Sequence, residues 1–455
     1  MTAATIDERR ARWQRRLRAA LPEHLERRTW DADRVRAHQR DRLRALLRHA
    51  KARSAFHAER LAGVDVDRFE LDDLPALPTM TKAEMMAGLD GLLTDARLSR
   101  TLVEDHLAAS TEAATPLLGE YVVLASGGSS GERGVFVYDT DSIVAYALGL
   151  TRGGLARLLA MGPPPGGVPM AMVAAASPIH ATRALSDLFS GDLLAITSVP
   201  VTLPLAEVVA RLERARPVLL QGYPSVLSLL AEERAAGRLR IAPMAVTGSS
   251  EQFPPDARAR VAAAFGVGVV DQFGSTEGVV GASAPGEEAI VLASDLAIVE
   301  LVDDRNRPVP PGTPSAKALV TNLMNPTQPL IRYELPDRFV RQPDAADHGH
   351  LRVTVEGRAD DLLRYGEVVV HPLVVRSVLV DTPQVVEYQV TQTPRGVRVA
   401  VVAPRGVDEA ALAARIAAAL TGAGLDGAEA TVEPVAAIRC HPLTGKTKRF
   451  LTRPA

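Results

Sequence analysis

The chain has 455 residues, more than one hydrophobic core usually supports, so two or more domains are expected. Its 52 basic and 54 acidic side chains leave a formal net charge of −2, which excludes a global field favouring nucleic acid or an anionic membrane. A single cysteine, Cys440, excludes an intramolecular disulfide framework and a cysteine-clustered structural zinc, and fits a reducing compartment.

The first sixty residues are rich in arginine (Arg9, Arg10, Arg12, Arg15, Arg16, Arg18) with Glu8, Glu23 and Glu26 interleaved, the pattern of solvated helix faces or of a weak anion-binding patch. No apolar core of signal-peptide length follows Met1 and no segment approaches a membrane-spanning run, so a soluble, cytoplasmic protein is expected, a monomer or homodimer. Between residues 30 and 60, Val35, Leu43, Leu46, Leu47 and Ala50 recur at helical spacing and predict an arginine-studded helix laid on a core. The apolar run Tyr121–Ala125 and the β-branched and aromatic run Val135–Tyr138 flank Ser126-Gly127-Gly128-Ser129-Ser130-Gly131, which reads as a loop between two strands. Glycines let such a loop approach phosphates, with amides and hydroxyls around the anion. The same residues match Gly-x-Ser-x-Gly, a hydrolase nucleophile elbow, but the elbow requires a helix after Ser129 and strand chemistry follows instead; a plain hairpin turn is the third reading.

From about 166 to 275, apolar strand-like runs alternate with amphipathic stretches, which predicts an α/β sheet covered by helices on both faces. The expected strands are 168–176, 193–200, 218–222, 245–248 and 267–273, with helices over 205–214, 225–236 and 255–265. Asp271-Gln272-Phe273-Gly274-Ser275-Thr276-Glu277-Gly278 falls at the end of a buried-looking strand, where open α/β sheets place ligands. His180 follows another strand, as a pocket residue or a satisfied structural histidine, and Tyr223 is a pocket or core aromatic. Arg305–Gly312 is a turn, and Asp347-His348-Gly349-His350 reads as an exposed loop rather than a metal site. Near Gly357 the pattern resets to a helix after Pro372, a hairpin over 385–402, a helix opened by Asp408 and a strand near 430–437. That places a domain boundary at Arg358–Asp360, with a large domain over 1–357 and a small α+β domain over 358–455. Lys446 is outside any Walker-type loop, because the required glycine is replaced by Cys440.

Five segments in one order, Ser126–Gly131, Asp271–Gly278, Arg332–Asp337, Gly357-Arg358-Ala359-Asp360-Asp361 and Pro442-Leu443-Thr444-Gly445-Lys446, resemble the adenylate-forming superfamily over nearly the whole chain. Thr321-Asn322-Leu323-Met324-Asn325 and Gln328–Tyr333 are most similar to its phenylacetate-CoA ligase branch. The resemblance implies a large domain of mixed β-sheets flanked by helices, plus a small mobile α+β domain carrying a catalytic lysine. It implies that Ser126–Gly131 grips the β- and γ-phosphates of ATP. Gly248, Ser249, Ser250 and Glu251 would form the adenine-side loop, Asp271 would meet the adenine edge and Phe273 would stack on the ring. Gln272, Gly274 and Ser275 belong to the same segment, where Thr276 touches the α-phosphate and Glu277 holds Mg²⁺. Asp337 would accept both ribose hydroxyls, Arg358 would help hold the nucleotide, and Asp360 would be the hinge. Lys446 would meet the transferring phosphate, and His180, Tyr223, Tyr138 and Gly248 would stand near the carboxylic acid. The sequence departs from the family at Gly127, Arg133, Gly134, Phe273 and Pro336.

The implied activity is ATP-dependent activation of a carboxylic acid as acyl-AMP, with acyl transfer to the thiol of CoA. An amine or carrier-protein acceptor is the alternative, since Leu363–Val368, which stands where relatives contact the pantetheine arm, favours CoA only weakly. An inactive binding relative and a serine hydrolase complete the alternatives; the first sits badly with the joint presence of Glu277, Asp337, Arg358 and Lys446.

Overall fold

The computed structural model describes residues 6–109, 115–125, 134–162, 167–174, 190–191, 194–201, 203, 205–358, 363–366, 368–370, 372–380, 382, 384–385, 387–404, 406–438 and 449–452. The chain divides into two compact units, Met1–Glu356 and Gly357–Ala455.

The larger unit opens with helices. Ala32–Arg53 is capped by Asp31, whose carboxylate accepts from Arg34 N at 2.8 Å, and it buries all five apolar positions of the predicted stripe. It ends at Ser54, which caps a separate short helix, Ala55–Arg60, so the single predicted helix is two. Strands β1 (Val122–Ala125) and β2 (Val135–Tyr138) pair antiparallel, with Ala125 opposite Val135. The alternating stretch then builds β3 (Val168–Ala174), β4 (Leu194–Pro200), β5 (Leu219–Gly222), β6 (Ala245–Ser249) and β7 (Val269–Gly274), all parallel. Strands β8 (Val280–Ser283) and β9 (Ile290–Leu292) turn back antiparallel. A second sheet consists of β10 (Ala297–Val302), β11 (Lys317–Asn322) and β12 (Tyr333–Leu335), after which β13 (Asp337–Arg341) and β14 (Arg352–Arg358) rejoin the first. Among the described residues the main sheet has nine strands in the order β13-β14-β9-β8-β7-β6-β5-β3-β4.

The period-two alternation of these strands sorts their side chains between two faces. Ala171, Leu220, Val246 and Val269 lie opposite one another in register, with Val173, Gly222, Gly248 and Asp271 next along, and helices Leu205–Ala215, Pro224–Ala235 and Pro255–Phe265 bury this face. Proline at the first position of the last two helices fits an N-terminus that needs no backbone donor. The opposite face carries Gln221, Ser249, Gln272 and Gly274 and meets the helix Thr140–Ala160, whose cap Asp139 accepts from Ser142 N at 2.8 Å. That helix amends one expectation: its 21 residues are long and apolar enough to cross a membrane by length and composition. Its apolar side is nevertheless occupied by the protein, with Ile143, Tyr146 and Leu148 buried against the β1–β2 pair and β8.

The smaller unit pairs β15 (Leu363–Tyr365) with β16 (Val368–Val370). The predicted hairpin is β17 (Glu387–Thr393) and β18 (Gly396–Val402), flanked in parallel by β19 (Glu429–Pro434) on β18 and β20 (Phe450–Leu451) on β17. Asp408 caps Glu409–Gly422, whose Leu412, Ile416 and Leu420 enter a core with Val390, Val399 and Val375.

Candidate active site

The carboxyl ends of β5, β6 and β7 lie side by side, Gly222 opposite Gly248 and Gly248 opposite Asp271. This edge is where parallel strands present a crevice for ligands. Beyond β6, Ser249 is buried, Ser250 adopts a left-handed φ of 67°, and Glu251 Oε2 accepts from Ser225 N at 3.1 Å.

Beyond β7 the chain makes a tight turn: Ser275 N donates to Val279 O at 2.9 Å and Gly278 N to Ser275 O at 3.0 Å. Gly278 has a φ of 105°, and a Cβ there would lie 2.1 Å from Asn322 Nδ2, so only glycine fits. The reason for that approach is a hydrogen bond, since Asn322 Nδ2 donates to Glu277 O at 2.9 Å. Tyr138 donates its hydroxyl to Thr276 O at 2.7 Å, and Thr276 Oγ1 lies 3.3 Å from Glu277 Oε2. Glu277 is 6 % exposed. Burial, then neighbouring groups that include the Glu277 carboxylate, hold the Tyr138 and Tyr146 hydroxyls well above their ordinary pKa.

The same turn is tied to β2. Asn325 Nδ2 donates to Val137 O at 2.9 Å, Gln328 Oε1 accepts from Val137 N at 2.7 Å, and Gln328 Nε2 donates to Val135 O at 3.0 Å. The side chains of residues 322–328 therefore close the edge of β2 that β1 leaves open, and join it to the Thr276–Glu277 turn. Sequence reading used this stretch only for its resemblance and missed these roles, although a run of three amide side chains in an apolar context was the available signal.

On the sheet's other face, Asp271 Oδ2 accepts from Arg258 Nη2 at 2.9 Å. Burial raises the Asp271 pKa to about 6, against the opposing pull of Arg258. Phe273 shares this face and meets Phe339 edge-on, ring centroids 5.2 Å apart. Asp337, 6 % exposed, stands two residues before Phe339 on β13 and so shares its face. The structure thereby brings the Asp337 strand to the ring at the end of β7. Arg332, in the same sequence segment, is structural: it has a φ of 50° and its guanidinium bonds Glu300 at 3.0 Å and the carbonyls of Pro75 and Leu77.

The four residues expected near the acid are not all brought together. Tyr138 packs on Tyr146, ring centroids 5.8 Å apart, on the Thr140–Ala160 side of the sheet. Gly248 lies against Phe253 on the opposite side, and Tyr223 is a fully buried member of that side's core. His180, Ser126–Gly131, Asp360 and Lys446 lie outside the described residues, and Arg358 is described as the last residue of β14. The first described strand after Ser129 is β2, with no described helix between them. Among the described residues no group of three or more His, Cys, Asp or Glu could hold a metal ion. His350 instead donates from Nε2 to Arg27 O at 2.8 Å, and Asp295 takes Arg152 in two bonds of 2.7 and 2.9 Å.

No family model matches the chain, and no curated protein is similar to it by sequence. Solved structures are similar in fold. A 2-hydroxyisobutyryl-CoA ligase in its postadenylation state, in complex with R3-HIB-AMP, matches 94 % of this chain and 91 % of its own at 18 % identity and a TM-score of 0.69. An open conformation of that ligase, in complex with 2-HIB-AMP and CoA, matches 94 % and 93 % at 20 % identity and a TM-score of 0.56. The amide bond synthetase McbA from Marinactinospora thermotolerans matches 71 % of this chain and 67 % of its own at 19 % identity and a TM-score of 0.52. With a mixed sheet of nine strands among the described residues, β7 leading into the Asp271–Gly278 turn, and with the likeness to the 2-hydroxyisobutyryl-CoA ligase spanning 94 % of its length, the chain has the adenylate-forming ligase fold.

Proposed function

We propose that the protein is an AMP-forming acid–thiol ligase. The observation that carries the reading is the Thr276–Glu277 turn at the carboxyl edge of the sheet, bonded through Tyr138 to the strand that follows the Ser126–Gly131 segment and through Asn322 to β11. A carboxylate oxygen of the acid attacks the α-phosphorus of ATP in line, the bond from that phosphorus to the α,β-bridging oxygen breaks, pyrophosphate leaves with the electron pair, and acyl-AMP remains. A thiolate then attacks the acyl carbon, AMP leaves with the electron pair of the carbon–oxygen bond, and a thioester forms. The protein's part is positioning and neutralisation of charge. Thr276 and the Ser126–Gly131 amides hold phosphate oxygens, Phe273 and Asp337 hold the base and ribose, and Lys446 with Arg358 meets the negative charge.

Glu277, a hard carboxylate donor at the edge of the sheet whose Oε2 lies 3.3 Å from the Thr276 hydroxyl, fits Mg²⁺, which takes few protein ligands and shares phosphate oxygens. When bound there, the ion would offset the charge of the triphosphate.

Pyrophosphate release measured across a panel of acids, with and without CoA, tests the reading. Acid-dependent release and a CoA thioester are expected; acid-dependent release that yields product only with an amine would move the acceptor to the second reading, for which the fold's likeness to McbA speaks. No acid-dependent release would overturn both. Lys446→Ala is expected to slow adenylation by on the order of 10²–10³, the usual loss for one preorganised electrostatic group, while prepared acyl-adenylate still passes to the acceptor. Equal loss of both half-reactions would remove Lys446 from this role.

A further inference from the structure

Three neighbouring parallel strands end in polar residues on a single face of the sheet. Ser249 lies opposite Gln272 in the β6–β7 register, and Gln221 lies opposite Thr247, two residues before Ser249, so all three side chains point to the Thr140–Ala160 side. They are 9 %, 7 % and 9 % exposed for Gln221, Ser249 and Gln272. Gln221 Nε2 donates to Gln272 Oε1 at 2.7 Å and to Ser249 Oγ at 3.3 Å, and Gln272 Nε2 donates to Leu150 O at 2.8 Å.

These bonds use both N–H groups of Gln221 and one of Gln272. Among the described residues nothing meets the Gln221 amide oxygen, the Ser249 hydroxyl proton, the second N–H of Gln272 or the hydroxyl of Tyr146. Gly274 continues the same face, where a Cβ would lie 3.0 Å from Leu150 Cδ2 and 3.3 Å from the Tyr146 hydroxyl. Glycine therefore lets Leu150 and the Tyr146 hydroxyl approach β7 closely, which places that hydroxyl on the same face as Gln272. Buried amides and hydroxyls with unused bonding capacity are costly unless a partner supplies the missing groups. At the carboxyl edge of parallel strands, that partner is the ligand.

We infer that this edge selects a carboxylic acid bearing a hydroxyl or amino group, recognised by Gln221, Ser249, Gln272 and Tyr146, over a purely hydrocarbon acid. The inference rests on the ligase reading above. A hydroxyl or amine donates to the Gln221 oxygen and accepts from Ser249 or Gln272, whereas a hydrocarbon of the same shape leaves those groups buried and unpaired.

Pyrophosphate release with matched acids tests it: benzoate against its hydroxy and amino derivatives, and butyrate against its hydroxy derivatives. The substituted acid of at least one pair should exceed its parent in kcat/KM by roughly tenfold or more. Ser249→Ala and Gln221→Met should bring that ratio toward one; being a ratio within one preparation, it is insensitive to partial misfolding of either variant. Parents equal to or better than their derivatives, or a ratio unchanged in both variants, would overturn the inference while leaving the ligase reading intact. Absence of release with every acid, parents included, would overturn both.

Discussion

Asn322 spends each of its side-chain atoms on backbone: Nδ2 on Glu277 O, and Oδ1 on the amides of Met324 and Asn325. It is fully buried, so no water can replace a lost bond. Asn322→Leu keeps the side chain's volume and leaves the Glu277 carbonyl and the amides of Met324 and Asn325 without their partner. The expected outcome is a loss of about 1–3 kcal/mol for each buried group left unsatisfied. If the bond also positions the turn, the Mg²⁺ concentration needed for half-maximal pyrophosphate release should rise while the KM for the acid is little changed. An equal change in both would make Asn322 a structural residue only. The sequence made Glu277 legible as an acid in a nucleotide-handling segment, but its support lies 45 residues away and belongs to another sheet.

A two-stranded ribbon has two open edges, and β2 would expose one of them inside the protein. Asn325 and Gln328 close it from 188 to 193 residues away, with amides standing in for a neighbouring strand. Gln328→Met preserves side-chain volume and strips both bonds from β2. Faster amide hydrogen exchange at Val137 is expected, together with a KM for ATP raised more than that for the acid, because β2 follows the Ser126–Gly131 segment. Unchanged exchange at Val137 would show that the strand holds its place without the clamp. Element by element, the sequence was a good guide where one stripe decides: the buried positions of Ala32–Arg53 and the bounds of Pro255–Phe265 follow from local period and caps. It was a poor guide at Ser54, where a cap side chain ends one helix and starts the next.

At the scale of the whole molecule, buried histidines oppose a buried carboxylate. Burial depresses His24, His57 and His350 to about 4, with neighbouring arginines adding to the effect, and lowers His38 as well. Around His24, His38 and His350 stand Arg27, Arg152 and Asp295, and Asp295 is itself held to about 2, its own burial outweighed by Arg152. The unfolded chain takes protons on these histidines from about pH 6.5 while the native state does not, so their stabilisation is present above that pH and is lost as pH falls toward 4. Asp271 acts with the opposite sign: its pKa of about 6 exceeds its unfolded value, so its contribution grows as pH falls through 6. Between pH 7 and 5 each of His24, His57 and His350 is worth on the order of 1–2 kcal/mol and Asp271 about 1, and His38 acts in the same direction as the other histidines. The net expectation is a lower urea midpoint at pH 5 than at pH 7, and a steeper fall in Asp271→Asn, which removes the opposing group. A midpoint that rises on acidification would contradict the burial of these rings.

The sequence by itself determined the alternation of strands and helices over 168–274, the reset near Gly357, and the position of the Asp271–Gly278 segment at a strand end. Each of these is a property of a short stretch of chain, set by period, caps and turn residues. Only the tertiary structure decided which strands are neighbours, and with them which side chains meet. Alternation says that Ser249 shares a face with Thr247, and that Gln272 shares one with Gly274. It cannot say that β6 lies between β5 and β7, and that register alone sets Gln221 beside Ser249 and Gln272, which are 28 and 51 residues away along the chain. The separation of Gly248 and Tyr223 from Tyr138 has the same origin: a residue's distance along the chain carries no information about which side of a distant strand it will occupy.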